Sequence, residues 1–127
     1  MTNEQPEPVF DVEVIDRLVE LFGDLAPAGQ LIEIFVGEAP QLVDTVLRGL
    51  AADDLEEARR GAHALKSSAA SVGAMRLSGL CARLEARLRA GEVDAARGDV
   101  GALRGTLQET LDVLAGELAR LRSSDRP

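Results

Sequence analysis

Apolar residues return every three to four positions along most of the chain, and no stretch alternates apolar and polar residues as a half-buried strand would. That period is helical, because 3.6 residues per turn brings i, i+3, i+4 and i+7 onto one face. Val12, Ile15, Leu18, Val19 and Phe22 predict a short first helix, with Asp11 placed to cap it and Gly23 to stop it. Leu31, Ile34, Phe35, Leu42, Val46 and Leu50 predict a second helix from about 26 to 50. Pro40 lies inside it, where a proline lacks the backbone donor and crowds the carbonyl of Val36. The apolar period continues past Pro40, so the expectation is one bent helix.

Asp53 or Asp54 can cap a third helix, with Glu56 and Glu57 three residues on in a capping-box pattern. Its stripe is Leu55, Ala58, Ala62, Leu65, Ala69 and Val72, and Gly73 supplies the stop. A fourth helix over 74–90 buries Leu77, Leu80, Cys81, Leu84 and Leu88 and exposes Arg76, Arg83, Arg87 and Arg89. A single long last helix is expected over 92–121, striped by Val93, Ala96, Val100, Leu103, Leu107, Leu111, Leu114, Leu118 and Leu121. Short connections between long amphipathic helices make neighbours antiparallel. The predicted fold class is all-α: an antiparallel up-down four-helix bundle with an additional short N-terminal helix laid across one end. It spans 10–122, between a disordered tail at 1–9 and a C-terminal tail at 123–127.

Composition agrees with the pattern. At 127 residues the chain has room for one core, built of Leu, Ala and Val with 2% aromatic residues, as bundles are and sheets are not. The net charge of −8 argues against nucleic acid and against an anionic membrane surface. No apolar run approaches the ~20 residues needed to cross a bilayer. The N-terminus has no signal-peptide pattern, and one cysteine, Cys81, fits a reducing compartment. These features lead to the expectation of a free-standing cytoplasmic domain.

The chemistry has few places to reside. With one His and one Cys, a dedicated transition-metal site is not expected, so the metal prediction is none. The glycines are scattered singly, without a phosphate loop, so no bound cofactor is expected. Ser67 lies one turn after His63 and points the same way, which is not the facing geometry of a nucleophilic triad. What remains is His63 itself, sharing a helix face with Lys66 and Ser67, with Ala70 one turn further on. Imidazole titrates near neutrality and is nucleophilic when neutral, and an ammonium nearby would attract a phosphoryl group once bound. The bland alternative for each of these residues is a solvated surface position, and for Cys81 plain core.

The string His63-Ala64-Leu65-Lys66-Ser67-Ser68-Ala69, followed by Val72-Gly73-Ala74, Leu77, Leu80-Cys81 and Leu84-Glu85, resembles the signature of histidine-containing phosphotransfer (HPt) domains. The resemblance implies a helical bundle whose third helix presents a phosphorylatable histidine, here His63. It implies a phosphorelay carrier, not an enzyme, taking the group from a receiver-domain aspartate and passing it to another response regulator. Receiver domains and a hybrid histidine kinase are the implied partners, with Mg²⁺ and the acidic pocket supplied by the receiver, and the carrier a monomer. Lys66 matches the lysine that neutralises the phosphoryl group. Ser67 departs from the usual glycine, and Glu85, where some members carry glutamine, receives no phosphate-binding role. Arg59, Leu18, Phe22 and Leu25 are the expected partner-binding residues. The competing expectation is a pseudo-HPt adaptor that binds receivers or kinases without transfer.

Overall fold

The computed structural model describes residues 7–124. Six helices follow in order: α1 Val12–Phe22, α2 Ala26–Ala51, α3 Leu55–Ser71, α4 Met75–Arg89, α5 Val93–Val100 and α6 Leu103–Ser124. Among the described residues there is no strand, and no helix is long and apolar enough to cross a membrane. α3 packs between α2 and α4, while α6 packs on α2 and α4 and so closes the ring; α1 lies on α2. The α2–α3 pair is antiparallel, since Gly49 meets Ala58 at one end and Glu38 meets Ser68 at the other.

Helix ends follow their local chemistry. The Asp11 carboxylate accepts from the Glu13 amide at the start of α1, and Gly23 ends it at φ 68°. α2 runs unbroken through Pro40, as the continuing period required. Asp54, not Asp53, caps α3 by accepting from the Glu57 amide. The Asp54 amide itself donates to the Gly49 carbonyl at 2.8 Å, which pins the α2–α3 corner. A second pin joins the start of α1 to the α3–α4 turn, where the Asp11 amide donates to the Gly73 carbonyl at 2.8 Å. Gly73 sits at φ +79°, and a Cβ there would lie 2.5 Å from the Asp11 carbonyl oxygen, so only glycine closes this corner.

The core departs from the expected stripe on α2. Ala28, Ile32, Phe35, Ala39, Val43, Val46 and Leu50 are buried, whereas Leu31 and Leu42 are half-buried and Ile34 is 60% exposed. The buried row carries the small residues because α2 and α3 approach closely: a Cβ on Gly49 would stand 2.7 Å from the Ala58 nitrogen. Phe22 is likewise turned outward, 59% exposed, although its spacing placed it with Ile15. On α3, Ala58, Ala62, Leu65, Ala69 and then Val72 are buried as the stripe required, with Leu55 half-buried. On α4 the five expected apolar residues are buried, but Arg76 and Arg87 are half-buried, not free on the surface.

The single long last helix is corrected to two. Residues 101 and 102 form a turn in which the Ala102 amide donates back to the Asp99 carbonyl. Gly98 and Gly101 weaken the helix at this point, each by roughly 1 kcal/mol relative to alanine. The break lets Arg97 reach the Leu50 carbonyl and the Asp53 carboxylate, while Asp99 takes Arg87 of α4. The expected tails are only partly within view, since 1–6 and 125–127 lie outside the described residues. Glu7 is engaged, its carbonyl accepting from Arg76 Nε at 3.0 Å, and α6 continues two residues past the expected boundary at 122.

Leu65 is fully buried at the centre of α3. Leu65→Ala is expected to cost about 2–5 kcal/mol in urea unfolding, while Ala70→Ser on the exposed face changes stability by about 0.5 kcal/mol or less.

Candidate functional site

The site is built by α3 and α4 together. α3 begins at its Asp54 cap and keeps its alanines and Leu65 inward, which turns His63, Ser67 and Ala70 to solvent. The chain then reverses through Val72, Gly73 and Ala74, with the Ala74 amide donating to the Ala69 carbonyl at 2.9 Å. Ser78 Oγ donates to the Lys66 carbonyl at 3.1 Å and fixes the register of α4 on α3. In that register Glu85 arrives opposite His63, and α4 thus adds a residue that the face of α3 lacks.

The Glu85 side chain is 3% exposed and four cationic or imidazole groups converge on it. Oε2 lies 2.7 Å from His63 Nδ1, and Oε1 accepts from Lys66 Nζ at 2.7 Å. Arg89, one turn further along α4, reaches Oε2 at 2.9 Å. Arg59 approaches it to 4.0 Å while holding Glu56 in a two-pronged pair at 2.6 and 3.2 Å. Burial pushes the Glu85 carboxyl up, but hydrogen bonds from Lys66 and His63 and the charges of Lys66 and Arg89 outweigh it, leaving the group below the usual carboxylate range.

An ionised carboxylate can only accept, so the proton between Glu85 and His63 belongs to Nδ1. A neutral imidazole with its proton on Nδ1 presents an unprotonated nitrogen at Nε2. The ring is 54% exposed and flanked by Ser67 and Ala70, both small and exposed. The result is a nucleophilic nitrogen on an open face, with its tautomer set from below by a fixed carboxylate. Among the described residues no three His, Cys, Asp or Glu side chains gather as a metal-holding group.

The structure therefore brings His63, Lys66, Ser67, Ala70 and Arg59 to one face, as expected, and adds Glu85 and Arg89, which sequence reasoning passed over. Lys66 differs from the expectation in one respect: its ammonium is already engaged by Glu85. The other expected partner-binding residues are not part of this face. Leu18 and Phe22 line a groove of about 290 Å³ with Pro27, Leu31 and Ile34, whereas Leu25 belongs to a separate hollow beside Leu118 and Leu121 of α6. A signal for Glu85 did exist in the sequence. It follows Leu84 on the buried side of α4, between Cys81 and Leu88, where a carboxylate requires a partner.

Comparison with known proteins agrees with this geometry. Residues 30–123 match the family model described as Hpt domain. Over 63 residues the chain is 40% identical to the phosphorelay protein LuxU of Vibrio cholerae serotype O1, a match covering 50% of this chain and 56% of that protein, so it spans little more than half of the relative's length. The fold is similar to the crystal structure of histidine-containing phosphotransfer protein B from Pseudomonas aeruginosa PAO1, with a TM-score of 0.81, 25% identity, and 89% of this chain and 96% of that one covered. A putative histidine-containing phosphotransfer protein from rice shares the fold at a TM-score of 0.74 and 16% identity, over 93% of this chain and 86% of that one.

The Glu85 network has a defined pH signature. Its carboxyl is lower in the folded chain than the ordinary value of 4.5, so the unfolded chain binds the proton more readily. The stabilisation is complete above that value and is lost as pH falls through the lower folded one. Glu85→Gln is expected to flatten this part of the stability profile, measured by denaturant unfolding from pH 6 down to about pH 3.

Proposed function

This chain belongs to the Hpt domain family, and from that membership we propose that it carries a phosphoryl group on Nε2 of His63 between the aspartates of two receiver domains. The observation that carries this reading is the 2.7 Å contact of His63 Nδ1 with the buried Glu85 carboxylate, which leaves Nε2 open to solvent. The Nε2 lone pair attacks the phosphorus of an aspartyl phosphate. An Nε2–P bond forms, the P–O bond to the aspartate breaks, and the aspartate leaves as carboxylate. The return step is the same exchange run toward a second aspartate.

Each site residue then has a role. Glu85 holds the ring and its tautomer, so little reorganisation is needed at the moment of attack. Lys66 lies on the same face and supplies positive charge where the phosphoryl oxygens gather. Ser67 and Ala70 leave room for the incoming receiver, which provides Mg²⁺ and its own acidic pocket. The exposed Phe22 and Ile34 beside Leu18 give an apolar surface on α1 and α2 that suits the rim of the same contact. We read the packing of α2, α3, α4 and α6 as an up-down four-helix bundle with α1 across one end, working as a cytoplasmic monomer with receivers and a hybrid kinase. No nucleic acid or membrane is involved.

Incubation with a phosphorylated receiver is expected to place an acid-labile, base-stable label on the chain. Labelling of His63→Gln at the wild-type level would overturn the assignment. Ser67→Gly, which removes the hydroxymethyl beside the ring, is expected to leave labelling intact and to speed transfer, measured as the initial rate of label exchange.

A further inference from the structure

We infer that Glu85 keeps the phosphorylated histidine short-lived and ready to transfer, so that it sets how strongly the site holds its cargo. This rests on the carrier reading above and goes beyond it, because a fixed tautomer alone says nothing about the lifetime of the product. Two contacts support it, both made by a carboxylate that has nowhere else to go.

The first is with the ring. When Nε2 gains phosphorus, the ring becomes a phosphoryl imidazolium with its proton still on Nδ1, 2.7 Å from Glu85 Oε2. Departure of the group breaks the Nε2–P bond and returns the electron pair to Nε2. With Nδ1 protonated, the leaving group is neutral imidazole; with Nδ1 bare, it would be imidazolate, a far worse one. The attacking oxygen, from a receiver carboxylate or from water, forms the new P–O bond, and water releases its protons to solvent. A carboxylate facing Nδ1 favours the protonated ring and hence the better leaving group.

The second contact is with the cations. The charged groups facing the ring are Lys66 and Arg59 on α3 and Glu85 and Arg89 on α4. Lys66 Nζ and Arg89 both pair with Glu85, at 2.7 and 2.9 Å, so a doubly negative phosphoryl group must compete with a resident anion for them. The contest is uneven. Glu85 is 3% exposed and cannot swing away, whereas Lys66 and Arg89 are 33% and 60% exposed and can lean toward either anion. Replacing the carboxylate by an amide leaves a hydrogen-bond acceptor for Nδ1 but removes both the charge that retains the proton and the charge that occupies the cations.

The test uses the intact chain, phosphorylated chemically with phosphoramidate, with ³¹P NMR following decay near pH 7.5. Glu85→Gln is expected to lengthen the phosphohistidine lifetime about tenfold, the equivalent of one unit of proton affinity. Lys66→Met is expected to shorten it, and the Glu85→Gln/Lys66→Met pair to lose part of the gain, since freed Lys66 accounts for part of it. An unchanged or shorter lifetime in Glu85→Gln overturns the inference. Should that variant fail to fold, ¹⁵N spectra of the phosphorylated wild-type chain decide the matter. Retention of the Nδ1 proton at pH 8, where the urea-unfolded chain has lost it, is the expected result, and a bare Nδ1 overturns it. Absence of any label on His63 in every form would instead bring down the carrier reading, and this inference with it.

Discussion

The structure depends on a carboxylate that the core has nearly enclosed. Glu85 projects from the apolar side of α4 among Cys81, Leu84 and Leu88, where an unpaired charge would be strongly destabilising. It is tolerated because Lys66, Arg89 and the His63 ring all turn toward it. These bonds run from α4 to α3 and within α4, so the pairing that satisfies Glu85 also locks the imidazole at a definite angle. Removing one member of a buried pair commonly costs about 3–5 kcal/mol, a sizeable part of the stability of a small domain. The partners here reach water, which softens that penalty for the cations and leaves the constraint concentrated on Glu85.

The rest of the fold serves to hold α3 still. Small residues let α2 press against its inner side, the Asp54 cap fixes its start, and the hydrogen bond between Asp11 and Gly73 fixes the turn at its far end. What faces outward is an imidazole and little else of bulk. Such a face can receive a group but has no means of its own to polarise a phosphate through a metal. The division of labour follows: a rigid nucleophile on this chain, and the metal and carboxylates on the partner that docks over it.

Much of this was legible in the sequence, and the failures share a cause. His63, Lys66 and Ser67 are three and four residues apart, so helical geometry alone unites them. Glu85 is 22 residues from His63 and joins it only once the register of α4 on α3 is known. Periodicity gave six apolar positions on α2 but could not choose between two overlapping rows; the close approach at Gly49 and Ala58 chose the one with alanines, turning Ile34 outward. The last helix read as continuous because its stripe keeps period across Gly101, yet Arg97 and Asp99 find better partners when the chain breaks there. Local spacing was readable, and choices settled by contacts between helices were not.

The central claim is that Glu85 reserves Nδ1 and leaves Nε2 to do the chemistry. It is tested most directly by identifying the phosphorylated nitrogen through long-range ¹H–¹⁵N and ¹⁵N–³¹P correlations on the labelled domain. The account predicts phosphorus on Nε2 of His63, with a proton on Nδ1 before and after transfer. Phosphorus on Nδ1, or a resting ring protonated at Nε2 and bare at Nδ1, would contradict it.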